Sequence, residues 1–283
     1  MSLQEAGTGS TSVTQAEFQR YASFVKTNFG IQLPPEKKTL LESRLYSLCN
    51  NNQGPEFASA ATFLKYLESD TTGRAQKLFA DAITTNHTYF MRESDHFDYY
   101  REVVLPFWGS KIKDGDVRTW CAASSTGEEP YTLMMIMQDF FQTKGGIWDK
   151  TLLATDLSQE ALDKAKQGLY PESSISVMPR HFQQAYFQRV TGGMVQVVPS
   201  IRQQVLYRRF NLMEPHFPFK KPFHTIFCRN VMIYFDEPTR RRLAQKFYDF
   251  LEPGGYLFIG HSEVIDRAAT PFSYVMPSVY RRM

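Results

Sequence analysis

Val117-Arg-Thr-Trp-Cys121 runs directly into Ala122-Ala-Ser-Ser-Thr-Gly-Glu-Glu-Pro130 and then into Tyr131-Thr-Leu-Met-Met-Ile-Met137. A short apolar run, a turn of small residues and a proline-opened periodic stretch read as strand, tight turn and helix. The pattern recurs downstream: TLLAT (151–155) precedes a helix capped by Ser158 and ended by Gly168, HTIFC (224–228) precedes a helix after Pro238, and YLFIG (256–260) follows. Strands alternating with helices predict an α/β domain with a mostly parallel sheet covered on both faces, and Ser273–Tyr280 reads as an antiparallel edge. One stretch breaks the rhythm. MVQVV (194–198) and QVLYRRF (204–210), beside a Gly192–Gly193 turn and after a short helix, read as a small antiparallel insertion at about 178–205.

Upstream the period changes to that of helices. Residues 1–12 are small and polar and predict a disordered tail. Thr14 and Glu17 form a capping box ahead of Phe18, Tyr21, Val25 and Phe29, and Gly30 supplies a stop. A second helix is expected from Pro34–Pro35 through Leu41, Leu45 and Leu48, and two more near 59–69 and 74–84. No strand pattern interrupts 13–90, which predicts a small all-α domain. Ser94 is expected to cap a connecting helix into the α/β domain, 91–283.

Composition sets limits on function. The 283 residues are 42% hydrophobic and 22% charged, a globular balance, and area scaling buries about three-quarters of the unfolded surface. The net charge of +3 is slight, and residues 1–86 carry eight basic and eight acidic side chains, so no nucleic-acid partner is expected. Three scattered cysteines, Cys49, Cys121 and Cys228, argue against disulfides or a zinc knuckle and for a reducing compartment. No run approaches the roughly 18 apolar residues of a membrane span, and the start MSLQEAGTGSTS lacks the features of a signal peptide. A soluble cytoplasmic protein without membrane insertion is expected. The six histidines show no H-E-x-x-H or other metal spacing, no metal is expected, and His261-Ser262-Glu263 makes no triad by adjacency. Met134, Met135 and Met137 read as core.

In an open α/β sheet ligands sit beyond the carboxyl ends of the strands, which directs attention to the turns after Cys121, Thr155 and Cys228. The first turn lacks the G-x-G-x-x-G of a pyrophosphate site and instead places Glu128 and Glu129 at a helix start. Those acids would repel a phosphate and suit a cationic ligand; alternatively they only favour the helix dipole, with Thr126 as cap. The second strand ends in Asp156, placed to accept ribose hydroxyls, or else to cap a helix for which Ser158 competes. An adenosine ligand without phosphates and with positive charge describes S-adenosylmethionine.

The segments TTNHTYFMRESDHF (84–97), AASSTGEEPY (122–131), ATDLS (154–158), FNLME (210–214), FCRNVMIYFD (227–236) and FIGHSE (258–263) resemble, in order and spacing over about 200 residues, those of the CheR family of chemotaxis protein-glutamate O-methyltransferases. The resemblance implies a class I, Rossmann-like methyltransferase domain with a small inserted β-subdomain, preceded by a small all-α domain. It implies transfer of a methyl group from S-adenosylmethionine to glutamates of chemoreceptors, releasing S-adenosylhomocysteine. By the same resemblance Asn86, Thr88 and Arg92 enter the cofactor pocket, Glu129 meets the methionine end, Asp156 the ribose, Asn211 and Leu212 the adenine, and Arg229 and Asn230 complete the pocket. Arg92 and Tyr234 are implied to lie near the transferred methyl. Read without the resemblance, Arg92 could pair with Glu93 or Asp95 on the surface, and Tyr234 could be a core aromatic.

The partners implied are the methylation helices of chemoreceptors, with Lys37, Lys38 and Arg44 either facing an acidic helix or forming a solvated face. Family members that tether to a receptor pentapeptide carry a longer glycine-rich loop in the β-subdomain than Val190–Met194, so a pentapeptide tether is not expected. Two other readings are a signalling scaffold that binds the cofactor without turnover, and a nucleic-acid or small-molecule methyltransferase. The near-neutral charge and the N-V-M-I-Y after the fourth strand disfavour the last.

Overall fold

The computed structural model describes residues 12–266 and 270–283, so the tail expected over 1–12 lies outside the described residues apart from Ser12. The chain divides into one compact unit ending at Thr85 and a second from Asn86 onward. The division falls a few residues before the expected boundary. Segment 86–90 belongs to the second unit because Ser125 Oγ donates to the Asn86 carbonyl (2.9 Å) and Phe90 packs edge-on against Tyr170 and Phe187.

The first unit is helical throughout. Helix α1 (Gln15–Phe29) has the expected capping box, in which Glu17 N–H donates to Thr14 Oγ1 (3.2 Å) and Thr14 N–H to the Glu17 carboxylate (2.8 Å). Helix α2 (Lys38–Asn50) starts later than the prolines suggest, after a 3-10 turn at Pro35–Lys37. Pro34 precedes another proline, which holds it extended (ψ 158°) and delays helical geometry. Helices α3 (Ala60–Ser69) and α4 (Arg74–Ile83) complete the unit, and Phe79 joins its core by packing against Tyr21 and Phe63.

The second unit opens with α5 (Ser94–Tyr99), a π-turn at Tyr100–Val104 and α6 (Leu105–Lys111). Ser94 is not the cap. That position is taken by Glu93, in the left-handed region at φ 56° and with no side-chain capping bond, because its carboxylate is used elsewhere. The chain continues through β1 (Thr119–Ala122), α7 (Glu128–Gln142), β2 (Leu152–Asp156), α8 (Gln159–Gln167), β3 (Leu169–Pro171), α9 (Arg180–Tyr186), β4 (Phe187–Val190), β5 (Met194–Val197), α10 (Pro199–Arg202) and β6 (Val205–Arg209). It ends with β7 (Phe223–Cys228), α11 (Glu237–Asp249), β8 (Leu251–Ile259), β9 (Ser273–Met276) and β10 (Val279–Arg281).

Seven strands form one sheet in the order β6-β2-β1-β7-β8-β10-β9. The first five are parallel, and β10 and β9 add an antiparallel edge, as the alternating pattern and the Ser273–Tyr280 run predict. β1 and β7 are buried at every position, which is why they read as continuous apolar runs. Met134, Met135 and Met137 on α7 are fully buried in the core beside them. All three cysteines are free and buried.

The inserted sheet is β3-β5-β4, antiparallel, with a turn through Gly192 and Gly193 that sets Val190 opposite Met194. Val205–Arg209 is not part of it. That run pairs in parallel with β2 as the outer strand of the large sheet, burying Val205 and Tyr207 and exposing Leu206, Arg208 and Arg209. Such alternation marks a strand covered on one face, and the sequence alone does not say which sheet supplies the cover.

Candidate active site

The carboxyl ends of β1, β2, β7 and β8 meet segment 86–93, and five of the six described non-glycine residues with positive φ lie here: Met91, Glu93, Ala123, Ser125 and Asn230. Left-handed backbone costs an L-residue roughly 1 kcal/mol or more, and it persists where surrounding bonds over-determine it. Those bonds can be named. After β1 the N–H groups of Ala123 and Ser124 both donate to the Thr155 carbonyl (2.8 and 2.9 Å), folding the turn over the end of β2. Gly127 then opens α7 at φ 100°, where a Cβ would come within 3 Å of the Tyr170 and Tyr207 hydroxyls.

Asp156 sits where the second strand ends and is buried. Its Oδ2 accepts from Ser125 N–H (2.8 Å) and its Oδ1 from Ser158 N–H (2.9 Å). Ser158, not Asp156, caps α8, accepting from Ala161 N–H at 3.1 Å. Asp156 is thereby released from the helix-cap alternative, with both carboxylate oxygens accepting backbone N–H groups. Phe210 N–H donates to the Asp156 carbonyl, which brings Asn211 and the buried Leu212 to the same end of the sheet, and Asn211 Oδ1 accepts from Met213 N–H. Asn86 is tied to this side through Ser125.

The second cluster is ionic. Arg229, directly after β7, has a side chain 1% exposed and donates Nη1 to Glu129 Oε2 (2.5 Å) and Nη2 to Glu93 Oε2 (2.9 Å) and to the Arg92 carbonyl. Asn230 Nδ2 donates to Glu93 Oε1 (3.0 Å) and His261 N–H to Glu93 Oε2 (3.2 Å). Burial pushes the Glu93 carboxyl up, but the Asn230 amide, the Arg229 charge and the His261 N–H outweigh it and hold it at about 2. On the other side Cys121 Sγ donates to Glu129 Oε1 at 3.2 Å; burial, then Glu129, push that thiol well up, so it is a neutral donor. Glu128 diverges from Glu129: it accepts from Thr126 Oγ1 (2.7 Å), and burial raises its carboxyl. Thr126 does not cap α7.

Glu263 closes the site from below. Its buried carboxylate accepts N–H groups of Gly260 (2.5 Å), Asn230 (3.0 Å) and Ile233 (3.2 Å), joining the loops after β7 and β8. Gly260 is required there, since a Cβ would lie 2.5 Å from Asn230 Nδ2. His261 forms no triad with Glu263; its Nε2 meets Asp95 Oδ2 at 3.1 Å. Glu93, His96 and His261 bring donor atoms within 4.8 Å of one another, but Arg229 shares the Glu93 oxygen and repels a cation there.

The structure thus links Glu129, Arg229, Asn230 and the backbone of Arg92 in one cluster, and Asn86, Asp156 and Asn211 in another. Thr88 lies partly buried on the segment between Asn86 and Arg92. Arg92 and Tyr234 are not joined: the guanidinium donates to the His87 carbonyl (3.0 Å) and lies over the Tyr89 ring, while Tyr234 ends a partly buried 3-10 turn, Met232–Tyr234. Arg92 pairs with neither Glu93 nor Asp95, which bond to Arg229 and His261 instead. A cavity of about 440 Å³ beside the small sheet, lined by Glu172, Arg180, Phe187 and Arg189 among others, includes none of these residues. Sequence reasoning missed Glu93, Glu263, Cys121 and Ser125 as site-builders, although all four lie in or beside the motif segments.

Residues 86–280 match the family described as CheR methyltransferase, SAM binding domain, and residues 16–84 match CheR methyltransferase, all-alpha domain. The chain belongs to the CheR methyltransferase family. It is 40% identical over 274 residues to a chemotaxis protein methyltransferase of Borreliella burgdorferi, with 95% of each chain covered. It is 33% identical to that of Salmonella typhimurium and 32% to that of Escherichia coli, covering 95% of this chain and 90% and 91% of theirs. The CheR match makes the chain an S-adenosylmethionine-dependent methyltransferase, and the donor set fits that group: two partly buried carboxylates on one guanidinium at one strand end and a carboxylate held by backbone N–H groups at the next. Among the described residues no helix is long and apolar enough to cross a membrane.

Proposed function

We propose that this CheR-family chain methylates glutamate side chains on the cytoplasmic helices of chemoreceptors, giving methyl esters and S-adenosylhomocysteine. The observation that carries the reading is the sharing of Arg229 between Glu93 and Glu129, which sets two partly buried carboxylates on one guanidinium where a cationic methyl donor would bind. Glu129 would hold the methionine end, Asp156 the ribose, Asn211 and Leu212 the adenine side, and Asn86, Thr88, Arg92, Arg229 and Asn230 the rest of the pocket. The bound cofactor supplies an electrophilic methyl on a sulfonium.

The acceptor needs no general base, because a glutamate with a pKa of about 4.3 is already ionised near pH 7. Charge is neutralised as carboxylate meets sulfonium, so added charge at the methyl would stabilise reactants more than the transition state. Alignment is then the main contribution, up to roughly 7–11 kcal/mol, helped by exclusion of water. Arg92 and Tyr234 would orient the incoming carboxylate, Arg92 after leaving its contact with the His87 carbonyl. Turnover of Arg92→Ala and Tyr234→Phe at saturating cofactor is expected to fall at least tenfold; rates within twofold of the unaltered chain for both reject this role.

Lys37, Lys38 and Arg44 on the helical unit would meet the acidic face of a receptor helix. Charge reversal of all three should raise the receptor KM without altering cofactor affinity. The short Val190–Met194 turn supports a pentapeptide-independent enzyme, and a micromolar Kd for such a peptide would contradict it. Incubation with methyl-labelled S-adenosylmethionine and receptor cytoplasmic fragments tests the whole reading. Alkali should release the label as methanol, whereas N-methyl products would retain it.

A further inference from the structure

The inserted sheet β3-β5-β4 has no assigned part in the reaction once a tether is set aside, yet two of its strands bear on the segments that surround the strand ends. Tyr170, in the middle of β3, pairs with Val195 of β5, and its hydroxyl donates to the Thr126 carbonyl at 2.7 Å. Thr126 lies in the turn after β1, one residue before the Gly127 that opens the helix carrying Glu129. Burial and then the Glu128 charge keep the phenol protonated, so it stays a donor. The Tyr170 ring also meets Phe90 edge-on at 4.9 Å, and Phe90 packs in the same way against Phe187 of β4 at 5.5 Å. All three rings are buried, Phe90 completely. One small sheet thus holds the turn after β1 by a hydrogen bond to its backbone and segment 86–92 by aromatic packing, and Ser125 Oγ ties the two held segments to each other at Asn86.

We propose that the inserted sheet braces the cofactor pocket, with Tyr170 and Phe90 as positioning residues that keep two of its walls in a fixed relation. The inference rests on the reading above that Glu129 and segment 86–92 line that pocket. Loss of the Tyr170 hydroxyl leaves the Thr126 carbonyl without that donor, and the turn gains freedom that cofactor binding must then remove. Coupling between two sites is reciprocal, so the bound cofactor steadies the small sheet in turn.

Calorimetric titration of the full chain with S-adenosylhomocysteine measures the brace. Tyr170→Phe keeps the ring and loses the hydroxyl, and should raise the Kd about fivefold. Tyr186→Phe is the control: it also removes one hydroxyl beside the small sheet, the donor to Asp139 on α7, and should leave the Kd within twofold. Hydrogen exchange separates positioning from stability. Saturating S-adenosylhomocysteine should slow the β5 amides at least threefold in the unaltered chain, and that slowing should be lost in Tyr170→Phe. A merely structural Tyr170 would change the β5 rates by the same factor with and without ligand. An unchanged Kd in Tyr170→Phe, an equal rise in Tyr186→Phe, or β5 exchange indifferent to the ligand in the unaltered chain overturns the proposal. Should Tyr170→Phe fail to fold, Phe90→Leu decides in the same sense, and a Kd within twofold of the unaltered chain overturns it. Glu129→Gln tests the reading beneath: unchanged affinity there removes Glu129 from the pocket, whereas a loss there beside an unchanged Tyr170→Phe overturns only the brace.

Discussion

Asp156 and Glu129 are carboxylates at the ends of neighbouring parallel strands, and they are held in opposite ways. Asp156 is clasped by two backbone N–H groups, one from the turn after β1 and one from the start of α8. Glu129 is held by a cation that it shares with Glu93, and by a neutral thiol. A carboxylate clasped by backbone donors keeps its full charge whatever its neighbours do, because those dipoles belong to the fold. One held by a shared cation has its effective charge set by the competitor. The ribose side is therefore built for geometry and the methionine side for charge.

Acid should separate the two sides most strongly. Glu93 is held at about 2 against an ordinary 4.5, so the stability it contributes is present above pH 4.5 and is lost as pH falls through 2. Burial and then Arg229 hold His96 at about 4 against 6.5, so its ring charges on unfolding, and stability declines as pH falls from 6.5 to 4. All three tryptophans, Trp108, Trp120 and Trp148, lie in the second unit, so their fluorescence reports its unfolding alone. Urea midpoints between pH 7 and 3 should fall throughout, and Glu93→Gln should flatten only the part below 4.5. A variant as steep there as the unaltered chain would remove the ionic account of Glu93.

Next in size is Glu129→Gln, which removes one partner of a buried ion pair and should raise the Kd of both cofactor and product on the order of 100-fold. Asp156→Asn should cost about tenfold, because the amide sets an N–H against one of two backbone donors. The loss should be equal for S-adenosylmethionine, S-adenosylhomocysteine and adenosine, which share the ribose. If Asp156→Asn discriminated between donor and product, the division into a geometric and an ionic side would break.

The features legible in the sequence were those written locally. The capping box at Thr14, the Ser158 cap and the apolar runs of β1, β2, β7 and β8 involve residues a few positions apart, and each gave the right element. β6 had the right strand pattern but was read into the small inserted sheet, because its true pairing with β2 spans about fifty residues. The site divides in the same way. Motif segments beside strand ends drew attention to Glu129, Asp156, Arg229 and Asn230; the structure joins Glu129 and Asn230 through Arg229 and Glu93, and holds Asp156 apart from them on backbone N–H groups. Glu93 was read only against its neighbour Arg92, while its actual partners lie 136, 137 and 168 positions away. Glu263 has the same difficulty: three of its donors are backbone N–H groups, which carry no sequence signature at all.

Cys121 offers the finest test of the ionic side. Its thiol is fully buried, and burial followed by the Glu129 charge keeps it protonated, so it can only donate to Glu129 Oε1. Removing a weak neutral donor from a carboxylate that retains Arg229 should cost little: Cys121→Ala is expected to raise the cofactor Kd about threefold, near 0.7 kcal/mol. Cys121→Ser replaces a weak donor by a stronger one on a shorter reach, and its affinity should lie between the two. Because the thiol carries no charge, neither variant should change the ratio of donor to product affinity. A shift in that ratio with Cys121→Ala would mean that Glu129 is tuned by its neutral neighbour as well as by Arg229, and the contrast with Asp156 would narrow accordingly.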